Sequence, residues 1–128
     1  MKTTDIHSFE KIHMQMQALH EEIGALSRKS PNDALNKFKL KLINGLIQEA
    51  NALLRREYKP LDGFEVLSDD DIPTNSDVTM VVAQYLNCLE KLRADNIQRK
   101  PSSASWYWIV NNSLSDVQTA PPRKLQEK

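Results

Sequence analysis

The chain has 128 residues, and its seventeen basic and seventeen acidic side chains cancel. That predicts one compact domain with no global field to draw it to nucleic acid or to an anionic membrane. No apolar run approaches the roughly 20 residues of a membrane span, no secretory pattern opens the chain, and the lone Cys88 cannot form an internal disulfide, so a cytoplasmic protein is expected.

From Ile6 to Leu26 the large apolar residues Ile6, Phe9, Ile12, Met16, Leu19, Ile23 and Leu26 recur at steps of three and four. This spacing predicts a helix over about 5–29. Ile6 apart, its stripe is about 100° wide, narrow enough for one partner helix to cover. Ser30, Pro31, Asn32 and Asp33 then read as an N-cap, a first-turn proline and an early carboxylate, which predicts a second helix over 31–58. Its apolar residues, from Leu35 and Phe38 through Leu42, Ile43, Leu46 and Ile47 to Leu54, span an arc of about 160°, wide enough for two neighbours. Lys37, Lys41, Asn44, Gln48, Asn51 and Arg55 form the opposite, polar side.

Between Lys59 and Asp77 the periodicity breaks at Pro60, Gly63 and Pro73, in a stretch holding six carboxylates. An ordered loop is expected there, pinned by Phe64, Val66 and Leu67. Val78, Val81, Val82, Tyr85, Leu86, Leu89 and Leu92 predict a third helix over 76–98, capped by Asn75 or Ser76. Trp106 to Val110 is aromatic and β-branched, and with Leu114 to Thr119 it predicts a hairpin within 104–119 that places Trp106 and Trp108 on one face, docked on the helices. The expected fold is therefore mainly α: a single domain over 1–119, built as a three-helix antiparallel bundle carrying a short C-terminal hairpin or extended segment, with 120–128 as a loose tail.

Residue patterns for chemistry are sparse. Glu10 and His13 stand at i and i+3, but a di-metal centre needs a second such pair and more carboxylates. His13 and His20 are about 10 Å apart along the helix, too far to share an ion. Asp69, Asp70, Asp71, Asn75 and Asp77 lack the alternation and the turn glycine of a calcium loop. Cys88 has no neighbouring base in the sequence, and three glycines leave nothing for a phosphate-cradling loop. No catalytic, metal or cofactor site is expected, and the chain does not read as an enzyme.

The remaining features point to a surface. Lys39 falls inside the apolar arc of the second helix, where it buries its stem or pairs with Glu21 or Glu22, and Glu49 borders the same arc. Lys39, Glu49, Trp106 and Trp108 are the candidate partner-binding residues. The expected function is a small helical protein–protein interaction or regulatory module whose partner is another protein or a second copy, as a homodimer. The alternative is a nucleic-acid-associated regulator that uses the basic face of the second helix with the Trp106–Trp108 segment. Because 99–128 carries only about three net positive charges, nucleic acid is the weaker expectation.

Overall fold

The computed structural model describes residues 1–122. Helix α1 spans Thr3–Lys29, α2 Lys37–Tyr58 and α3 Asn75–Ala94, with a 3-10 turn at Asp69–Asp71. Strands β1 (Ile97–Arg99), β2 (Trp106–Val110) and β3 (Ser113–Thr119) form an antiparallel sheet in the order β1-β2-β3. The protein is thus mainly helical with a C-terminal hairpin, as expected, and the hairpin gains a third strand. The part of the expected tail at 123–128 lies outside the described residues.

Most of each apolar stripe packs into a common core. Phe9, Met16 and Ile23 of α1, Ile43, Ile47, Ala50 and Leu54 of α2, and Val78, Val82, Tyr85 and Leu89 of α3 are all within it. The sheet closes this core beside the first half of α1. Trp108 is fully buried with its ring edge-on to Phe9, centroids 5.1 Å apart. Its Nε1 donates to Glu10 (3.1 Å), which also accepts from the Thr119 hydroxyl (3.0 Å), so one exposed carboxylate on α1 holds β2 and β3 together. The β2–β3 register shifts between Tyr107 and Ile109, and there the Ser115 hydroxyl donates to the Trp108 carbonyl at 2.6 Å. Trp106 is half-buried against the same core, so the two tryptophans dock on the helices as expected.

Three boundaries differ from expectation. The second helix starts at Lys37, not 31, with the Asn36 side chain accepting from the Lys39 amide at 2.8 Å. The segment before it is held to the start of α3: Leu35 N donates to Pro73 O, Asn75 N to Asp33 O and Ser76 N to Pro31 O. Those backbone groups are used across the chain, so they cannot join a helix. The cap of α3 is Thr74, one residue before the expected pair; it accepts from Asp77 N while Asp77 accepts from Thr74 N, a reciprocal capping box. The third helix stops at Ala94, short of 98, because Ile97 pairs with Trp108 as the outer strand of the sheet.

The loop after α2 is ordered by two side chains from the polar side of that helix. Asn44 donates to Leu67 O and accepts from Leu67 N, a two-way clamp resembling one rung of a sheet, while Asn51 donates to Glu65 O. Phe64 and Leu67 then pack on the core.

Candidate functional site

Two arrangements of side chains stand out, one buried and one exposed. In the buried one, His13 of α1 donates through Nε2 to Glu90 of α3 at 2.6 Å, and Arg93 donates through Nη2 to both Glu90 oxygens at 2.6 and 2.8 Å. All three are buried, at 7%, 5% and 4% exposure. The His13 ring stacks on Phe9, and the Arg93 guanidinium lies 5.6 Å from the centre of that same ring. Burial alone would raise the Glu90 pKa, but hydrogen bonds from His13 and Arg93 and their charges outweigh it and bring the carboxyl down to about 2. Arg93 Nε is buried without a hydrogen-bond partner. The arrangement is closed to solvent and, Arg93 Nε apart, its hydrogen bonds run among its own members, which suits a charged brace between α1 and α3.

Side chains capable of chemistry are held apart by these contacts. His13 is spent on Glu90, whereas Glu10 serves Trp108 and Thr119. Cys88 is half-buried, and burial pushes its thiol pKa up, opposite to the shift an activated nucleophile needs. Tyr85 is fully buried, donates to Asn51 Oδ1 at 2.6 Å, and has its pKa raised to about 12 mainly by burial. Asp69–Asp71 form the 3-10 turn, with Ser68 capping it. Among the described residues no group of three or more His, Cys, Asp or Glu could hold a metal ion, and no helix is long and apolar enough to cross a membrane.

The exposed arrangement lies on the outer face of α2. Phe38 and Leu42, one turn apart, are 71% and 52% exposed. They border an open groove of about 890 Å³ between α1 and α2, where Ala18, Leu19 and Leu46 supply further apolar lining and Gln15, Lys41 and Glu49 the polar rim. A second groove of about 440 Å³ runs along the other flank of α2, toward Asp69. Gly45 borders both, and a Cβ there would meet nothing within 4 Å, so the helix backbone is bare at the saddle between them. Among the described residues neither Lys41 nor Glu49 forms an ion pair within the chain.

Of the four candidates from the sequence, Glu49 belongs to this rim. Lys39 is half-buried on the same helix, and its pairing with Glu21 or Glu22 is not formed among the described residues. Trp106 and Trp108 face the core instead, and Trp108 has no surface left to offer a base or a partner. Sequence reasoning missed Phe38, Leu42 and Gly45 as surface residues. The available signal was the excess width of the α2 arc, which a small domain with two other helices need not cover completely. No family model matches the chain, and no curated protein or solved structure is significantly similar to it.

Proposed function

We propose that the protein is a small protein–protein interaction or regulatory module that works through the outer face of α2 and the groove between α2 and α1. On this reading the three helices form an antiparallel bundle that fixes α2 as a rigid display element. The observation that carries it is the pair Phe38 and Leu42, held mostly in water at the mouth of an apolar groove although neighbouring positions on the same helix are fully buried. Contiguous exposed apolar surface beside a polar rim is the mark of an interaction site, and a groove beside a helix suits a partner's amphipathic helix. The burial of Trp108 supports this reading over one in which the tryptophan segment stacks on bases.

The test is affinity capture from lysate with the intact protein and with a Phe38→Ser/Leu42→Ser variant. Both substitutions fall on exposed positions, so circular dichroism and the unfolding midpoint should stay close to those of the intact protein. Captured protein should disappear with the variant. Capture that is indifferent to both substitutions would remove the groove as the working surface.

A further inference from the structure

We infer that the occupant of the α2 face is a second copy of this chain, crossing antiparallel over Gly45 so that Lys41 of each copy meets Glu49 of the other. The inference rests on the groove reading above and names its partner. Phe38, Gly45 and Ala52 are seven residues apart in turn, so on a helix they lie on one line to within about 40°, and all three are exposed. That regular stretch ends before Arg55, where the backbone leaves helical geometry.

A twofold axis through Gly45 reverses this line onto itself. Phe38 and Ala52 each stand about 10 Å of helix rise from Gly45, on opposite sides, so the large ring of one copy falls against the small side chain of the other, twice. At the axis two glycines face each other, and the absence of any atom near the Gly45 Cβ position lets the backbones approach. Lys41 and Glu49 each stand four residues from Gly45, about 6 Å of rise, and about 40° to either side of its direction, so they meet across the seam. The same reversal brings them level with one another as two opposite-charge pairs. Leu42 is then covered at the seam with Phe38. The face is thus complementary to itself in shape and in charge, as an isologous interface requires, and its two charges have no partner in their own chain among the described residues.

The experiment is light scattering across a concentration series, on the intact chain and on charge variants. The intact chain should show twice its 14.7 kDa mass. Lys41→Glu and Glu49→Lys should each return the mass to that of one chain, and Lys41→Glu/Glu49→Lys together should restore the doubled mass, because reversal regenerates the opposite-charge pairs. In a Cys88→Ala background, Gly45→Cys should yield a disulfide-linked dimer on mild oxidation, since position 45 lies on the axis. A single-chain mass throughout overturns the inference. So does a dimer that ignores the charge variants and does not cross-link through position 45, because it would use another face. The Phe38→Ser/Leu42→Ser capture reads the groove separately: a monomer with Phe38-dependent capture sinks only the second copy, whereas a monomer without it sinks both.

Discussion

Replacing Glu90 by glutamine tests the buried brace most directly. The substitution keeps size and shape but removes the negative charge that faces His13 and Arg93. In the folded protein the carboxyl titrates at about 2 instead of 4.5. At about 1.4 kcal/mol per pH unit, that gap corresponds to about 3 kcal/mol of stabilisation near neutral pH. Breaking a buried pair by removing one partner costs a similar amount, about 3–5 kcal/mol, because the other charge stays buried. The sign follows from the lowered pKa. As pH falls the unfolded chain binds this proton first, so the contribution is complete above about 4.5 and is lost as pH falls toward and through about 2. Urea unfolding followed by circular dichroism should therefore show Glu90→Gln destabilised by about 3 kcal/mol near neutrality, with the difference from the intact protein shrinking in acid. Asp77, held low by hydrogen bonds from Thr74, and Asp95, held low by hydrogen bonds from Tyr58 and Lys91, titrate in both proteins and cancel in the difference. A cost below about 1 kcal/mol, the level of a surface ion pair, or a difference that does not change with pH would refute the brace.

Two further substitutions probe the docking of the sheet and the end of α2. Trp108→Ala removes a fully buried ring and its contact with Phe9, so it should cost about 3–5 kcal/mol. Hydrogen exchange should show the amides of β2 losing protection first, and a cost under about 1 kcal/mol would mean that the sheet is anchored elsewhere. Arg55 is held at φ 56° and ψ −175°, a region adopted almost solely by glycine, at a strain of roughly 1–3 kcal/mol. Arg55→Gly relieves that strain at some cost in chain entropy, and should raise the thermal midpoint by several degrees for a net gain of about 1 kcal/mol. An unchanged or lower midpoint would count against strain at this position.

The helical periodicities carried most of the fold, because a stripe at steps of three and four is a local property that tertiary packing preserves. The misplaced boundaries have a common cause. Ser30, Pro31 and Asp33 have the chemistry of a helix start, yet the backbone around them is bonded to Pro73, Asn75 and Ser76, about forty residues on. Ile97 likewise leaves the pattern of α3 only because Trp108 supplies a strand to pair with. The buried brace was unreadable for a related reason. Glu90 and Arg93 form a visible i, i+3 pair, but that spacing describes an exposed pair equally well, and only the arrival of His13 and Phe9 from α1 makes it interior.

The α2 face shows the same limit. A helical projection places Phe38 and Leu42 in the apolar arc and Asn44 and Asn51 on the polar side, so burial would be expected to follow that division. The tertiary structure divides the helix differently. Asn44 and Asn51 are covered, because their amides satisfy the backbone of the 59–74 loop, while Phe38 and Leu42 are left in water. The loop is committed to the asparagine flank, where Phe64 and Leu67 pack on the core, so the apolar area of Phe38 and Leu42 gains none of the roughly 25 cal/mol per Å² that burial brings. Phe38 and Leu42 therefore remain as apolar surface beside the groove. The association proposed above would bury it, and the positions of Lys41 and Glu49 about Gly45 would give that association a defined geometry.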